Sequence, residues 1–99
     1  LDKRIYLNII SIMYEKGSVQ DAVELIDLAI TLFDDNKSDL LYIKTAFLYD
    51  LGKKNQMYEA LLKALENNPE DYSQLFELIP EMENDNAVMS IIESYQKEN

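Results

Sequence analysis

The chain has 99 residues, nine basic against nineteen acidic, a formal net charge of −10, and neither cysteine nor histidine. That length allows one ordinary domain or a few repeat units. The missing residue types exclude disulfide frameworks, thiolate nucleophiles, imidazole bases and zinc sites of Cys/His type, and the acidic excess repels phosphate backbones and anionic lipid heads. An apolar fraction of 47% still supports a core, while two glycines and two prolines leave room for few tight turns. Apolar runs such as Leu40–Ile43 are far too short to cross a bilayer. Leu1, Asp2, Lys3 and Arg4 do not resemble a secretory leader, and the expectation is a C-terminal part of a longer protein. The absence of cysteine suits a cytoplasmic, reducing setting.

Apolar residues recur at helical spacing nearly everywhere, and strict alternation is never sustained. Ile5, Ile9, Ile12 and Met13 predict one buried side of a first helix that ends at Gly17. Ser18 is the expected cap of a second helix, with Asp21 completing a weak capping box, and that helix buries Ala22, Leu25, Ile26, Ala29, Ile30 and Phe33. The polar run Asp34, Asp35, Asn36, Lys37 and Ser38 breaks the pattern and supplies caps for a third helix, whose stripe is Leu41, Phe47, Leu48 and Leu51 and whose end is Gly52. A fourth helix carries Met57, Leu61, Ala64 and Leu65 and stops before Pro69. Glu70 or Asp71 opens a fifth, with Leu75, Phe76, Leu78 and Ile79 inside, and Pro80 ends or kinks it. Asn84, Asp85 and Asn86 cap a last helix bearing Val88, Ile91, Ile92 and Tyr95. Six short helices with short connections make an all-α, antiparallel-hairpin pattern.

The chain also resembles itself. Gly17 and Gly52 lie 35 positions apart, as do Ala29 and Ala64. A period in the mid-thirties with two helices per unit is a repeat signature. The segment Leu41-Tyr-Ile-Lys-Thr-Ala-Phe-Leu-Tyr-Asp-Leu-Gly52, followed by Ala64, Leu65 and Pro69, resembles a unit of the tetratricopeptide repeat family. Thr45 stands where that family prefers a small residue. The first unit matches through Gly17, Ala22 and Ala29, with Asp34 in place of the closing proline. Met57 replaces a small alanine in the second unit, which implies looser packing there. The third unit keeps only spacing, through Leu75 and Leu78. The resemblance implies one domain over residues 1–99, with units at about 3–36, 37–70 and 71–99. These stack as a right-handed solenoid whose degenerate last unit is capped by Glu93, Gln96, Lys97, Glu98 and Asn99. Another all-helical stack is the alternative.

Catalysis is hard to build from these residues. Acid–base work needs two carboxyls at a defined separation with their pKa values pushed apart, and nineteen acids single out no pair. Asp34, Asn36 and Ser38 alternate as calcium ligands do, but Asp39 and Thr45 occupy the places where such a loop needs glycine and a bidentate glutamate. Asn36, Lys37 and Ser38 also fit a glycosylation triplet, with nothing else pointing to secretion. The expectation is no enzyme, no cofactor and no metal.

Asp39, Tyr42, Ala46, Tyr49 and Asp50 share one side of the third helix by spacing. The resemblance places that side in a concave groove that binds extended peptides or helices, with Leu7, Asn8, Ser11, Tyr14 and Glu15 as first-unit counterparts. The expected binding residues are therefore Tyr14, Glu15, Asp39, Tyr42, Tyr49 and Asp50, an acidic and aromatic set suited to a protein partner with a basic segment. Packing of Tyr42 and Tyr49 against a neighbouring helix is the competing expectation. Family members that clamp a terminal carboxylate use lysines, arginine and asparagines, and apart from Arg4 and Asn8 this set lacks them. The functional expectation is a scaffold or adaptor for protein–protein interaction. Two alternatives remain: a chaperone for one client, and an end-piece that stacks on missing repeats or self-associates through Ile5, Leu7 and Ile10.

Overall fold

A computed structural model describes residues 2–97, with side chains described for 2–96; Glu98 and Asn99 of the expected cap lie outside the described residues, as does the Lys97 side chain. Among the described residues every regular element is helical. The order is α1 (Lys3–Glu15), α2 (Val19–Leu32), α3 (Ser38–Asp50), α4 (Lys54–Asn67), α5 (Ser73–Leu78) and α6 (Asn86–Lys97), with 3-10 turns at Asp34–Asn36 and Pro80–Asn84. No helix is long and apolar enough to cross a membrane.

The 35-residue period is written into the element bounds. α1 and α3 have 13 residues each and α2 and α4 have 14, and both ends of each pair are offset by 35. The reason is local. Gly17 (φ +85°) and Gly52 (φ +74°) adopt the left-handed conformation that closes a helix. Around the first, Ser18 N–H donates to Met13 O and Gly17 N–H to Tyr14 O; around the second, Lys53 donates to Leu48 O and Gly52 to Tyr49 O. The same pair of bonds ends both helices.

α3 occupies the centre. It packs against α2, α4 and α5, and reaches α1 through a stacked Tyr14–Phe47 pair and a Lys3–Asp39 ion pair of 2.7 Å. Leu40, Leu41, Tyr42, Thr45, Ala46, Phe47 and Leu48 are all buried, so this helix has no purely solvent-facing stripe. Thr45 enters the core because its hydroxyl donates to Leu41 O at 2.8 Å within the helix. Pro80 does end α5, opening the following 3-10 turn. Met57 is fully covered at its helix start, in contact with a neighbouring pocket.

Four local expectations are corrected. On α1 the buried residue is Ile10, with Tyr6, Leu7, Met13 and Tyr14 packed beside the core, whereas Ile5, Ile9 and Ile12 are exposed. A helix apolar on two sides gives no local signal for which side turns inward. Ile10 and Leu7 are therefore not the residues a bare end would show. Ser18 and the residues before α3 make no side-chain cap bond, and α5 starts at Ser73, later than Glu70 or Asp71. Asp85 does cap α6, accepting from the Ala87 and Val88 N–H groups at 3.1 Å each.

Ala29 and Ala64 are fully buried. Ala29→Leu or Ala64→Leu is therefore expected to lower stability by about 1–3 kcal/mol through overpacking. Gly17→Ala, which meets no neighbouring atom but keeps the strained positive φ, is expected to cost about 1 kcal/mol. Urea unfolding followed by circular dichroism measures both.

Candidate functional site

The predicted residues do not form one surface. Tyr42 is buried completely, and its hydroxyl donates to Asn68 O at the end of α4. Ala46 beside it is equally covered. Burial, then the charge of Asp71 and then Tyr72, drives the Tyr42 phenol well above its ordinary pKa. This residue fixes the α3–α4 hairpin and offers no area to a partner, which corrects its place in the binding set. Tyr49 is partly covered and donates to Asp85 Oδ2 at 3.1 Å. Its phenol is also raised, by burial first and then by the bond to Asp85. Tyr49 thus belongs to the wall of a pocket of about 210 Å³ with Gly52, Lys54, Met57, Tyr58 and Asp85. Asp39 is committed to Lys3.

Tyr14, Glu15 and Asp50 remain toward solvent, and the structure gathers others around them. The rings of Tyr14 and Phe47 lie 4.3 Å apart and 9° from parallel, joining α1 to α3. Beside the stack is a shallow depression of about 90 Å³ lined by Leu7, Ile10, Ser11, Ile43 and Leu78 as well as the two rings. The Tyr14 phenol is raised by burial first, then by the charges of Asp50 and Glu81, so both carboxylates lie close to it. Glu15, Asp50 and Glu81 make no ion pair among the described residues. The depression is lined by apolar and aromatic side chains and Ser11, and the unpaired carboxylates of Asp50 and Glu81 act on Tyr14 in its wall. Apolar area supplies affinity, and such charge favours a cationic segment.

Phe47, Ile43, Leu78 and Glu81 are the members that the sequence leaves out. Ile43 and Phe47 are a helical i, i+4 pair next to Asp39 and Asp50, so the open side of α3 is turned from the Tyr42 side by roughly a quarter of a circle. α5 packs on α3, with Leu78 reaching the Ile43 and Phe47 side, while the Tyr42 hydroxyl is bound at the end of α4 by Asn68 O. Glu81 lies in the 3-10 turn that Pro80 opens, and its charge acts on Tyr14.

A larger cleft, about 460 Å³, opens elsewhere between α2 and α4 and includes Asp27, Ile30, Lys37, Leu41, Lys44, Lys63, Glu66 and Asn67. Two of its lysines are neutralised, Lys44 by Asp27 and Lys37 by Asp34, each at 2.7 Å. Among the described residues no three His, Cys, Asp or Glu side chains gather as metal ligands do.

A phenol raised in the fold stabilises the folded state while it is protonated. The contribution from Tyr42 is fully present below the unfolded value near about 10 and is lost as pH climbs through the higher folded value. The urea midpoint is therefore expected to fall above about pH 10. Tyr42→Phe is expected to cost about 1 kcal/mol at pH 7 by removing the bond to Asn68 O, and to flatten that alkaline fall. Midpoints measured from pH 7 upward for both chains test the sign and the residue.

Comparison with family models, with curated proteins and with solved structures finds no match for this chain.

Proposed function

We propose that the chain is a non-catalytic protein-binding module, a scaffold or adaptor whose helical hairpins stack in the manner of a tetratricopeptide solenoid. The repeated element bounds and the two identical glycine closures support the stacking. The observation that carries the binding reading is the stacked Tyr14–Phe47 pair at an open depression with unpaired Asp50 and Glu81 beside it. With Phe47 buried against it, the partly exposed Tyr14 ring presents rigid, amphipathic area whose conformational cost is already met by the fold. The partner is a helix or extended segment that lays an apolar side chain against Leu7, Ile43 and Leu78 and brings Lys or Arg to Asp50, Glu81 and Glu15. The lack of histidine and cysteine supports the non-catalytic part of the reading.

Because Tyr42 is a core residue, the informative variant reverses surface charge and leaves the tyrosines in place. Asp50→Lys with Glu81→Lys keeps the stack and inverts its rim. Selection from a random peptide library on the unaltered chain is expected to enrich apolar or aromatic residues flanked by Lys or Arg. The double variant should bind those peptides about tenfold more weakly, equivalent to about 1.4 kcal/mol, and higher salt should weaken binding to the original chain. Equal binding of the same peptides by both chains refutes this site.

A further inference from the structure

The first hairpin carries a second surface, unrelated to the depression at Tyr14. Ile5, Ile9 and Ile12 follow i, i+4, i+7 spacing on α1 and are 45%, 44% and 50% exposed; on α2, Leu28 and Leu32 are 51% and 54% exposed, and Leu25 precedes them at helical spacing. Five of the six are exposed and Leu25 is partly covered, and apolar side chains grouped in this way on neighbouring helices mark an interaction surface.

The repeat register says what such a surface does. Thirty-five positions later, Ile5, Ile9 and Ile12 become Leu40, Lys44 and Phe47, which again share one side of a helix. That side is turned to the preceding hairpin: Phe47 stacks on Tyr14 of α1, and Lys44 pairs with Asp27 of α2. Leu25, Leu28 and Leu32 become Ala60, Lys63 and Asn67, and the last two share a cleft with Asp27 and Ile30 of α2. A further step turns Ile5 and Ile12 into Leu75 and Met82. Leu40 and Leu75 are both 0% exposed, and Phe47 and Met82 are 2% and 0% exposed. On the first helix of each unit these register positions are covered in the second and third units and bare in the first; on the second helix Ala60 is buried, while Lys63 and Asn67 stay exposed.

We propose that the face made by Ile5, Ile9, Ile12, Leu25, Leu28 and Leu32 docks another helical hairpin of the same register, seated as α1–α2 is seated on α3–α4. The register also defines its chemistry. Ile9 and Leu28 stand where the second unit has Lys44 and Lys63, so the incoming hairpin meets hydrocarbon where α2 meets ammonium groups. At the position equivalent to Asp27 it must carry an apolar residue, because a carboxylate buried against Ile9 would have no partner. A second copy fits less well: it would bring another charge of −10 to the interface.

The test extends the whole chain. Residues 2–36 are duplicated ahead of Asp2, with Asp27→Leu in the added copy only. One unfolding transition is expected, at least about 5 °C above that of the original chain. The added helices should show slow hydrogen exchange, and the same duplication without Asp27→Leu should gain less. Ile9→Lys in the original segment should leave the 99-residue chain within about 2 °C, since the site is already in water. In the extended chain it should remove most of the gain. Unprotected added helices, or Ile9→Lys acting equally in both chains, overturns the proposal. So does a concentration-dependent dimer of the 99-residue chain that Ile9→Lys abolishes, because a second copy is then the occupant. None of these outcomes depends on Asp50 or Glu81, so the peptide-binding reading fails or stands separately.

Discussion

The enclosure of α3 is the constraint on which the rest depends. A 13-residue helix covered on most sides must satisfy its backbone groups internally, and the charges it turns to its neighbours are paired, Asp39 with Lys3 and Lys44 with Asp27. Of its buried polar groups, Thr45 bonds within its own helix and Tyr42 to a carbonyl at the end of α4, while Ser38 Oγ has no protein partner. Once α3 is enclosed, the hairpins before and after it meet across it. Phe47 then necessarily lies against α1, while α5 packs on α3 from the other hairpin. The aromatic stack at the candidate site is thus a by-product of core packing, which makes it rigid.

The third unit shows how the fold compensates for a missing helical hairpin. α5 has only six residues, too few to hold itself by backbone bonds, and Pro80 forbids its extension. Side chains replace that length. Asp85 accepts from the first turn of α6 with one oxygen and from Tyr49 with the other, tying the last helix to the centre in a single residue. Gln96 donates to Pro69 O from the far end of α6. Leu75, Ile79 and Met82 supply the buried area that a longer helix would have carried. α5 starts 35 residues after α3, whereas α6 starts 32 residues after α4, so the unit keeps the register of the first two only at its first helix.

The helices and their ends were legible because their causes are local. Glycine in a left-handed closure and a proline without a donor mark their positions whatever surrounds them, and the 35-residue step can be counted before any contact is known. Orientation was legible on α2 and α4, where Ala22, Ile26, Ala29, Met57, Leu61, Ala64 and Leu65 are buried as expected, but not on α1 and α3. With Leu40, Leu41, Tyr42 and Thr45 through Leu48 all buried, the pattern of α3 contains no polar stripe to say which side is open. Asp39, Ala46 and Asp50 suggested one, but Ala46 is covered and Asp39 is held by Lys3. The same ambiguity, with two apolar sides on one helix, reversed the reading of α1. Of the expected set, Glu15 and Asp50 are exposed and Tyr14 is partly so. Glu81 was not legible because its charge acts on Tyr14 from a 3-10 turn distant in the chain.

The two surfaces of the molecule differ in the forces they use, and the difference keeps them from competing. At Tyr14 and Phe47 the apolar area is small and Asp50 and Glu81 are exposed, so the proposed recognition there would weaken with salt and favour cations. Across Ile5, Ile9, Ile12, Leu28 and Leu32 the area is larger and the register positions that carry lysine in the second unit are aliphatic, so recognition there is insensitive to salt and demands shape. An acidic chain cannot easily cover such an aliphatic face with another copy of itself, because association doubles a charge that already opposes compaction. In the two proposed readings, the charge that would draw a basic segment to the depression also disfavours a second copy at the hairpin face.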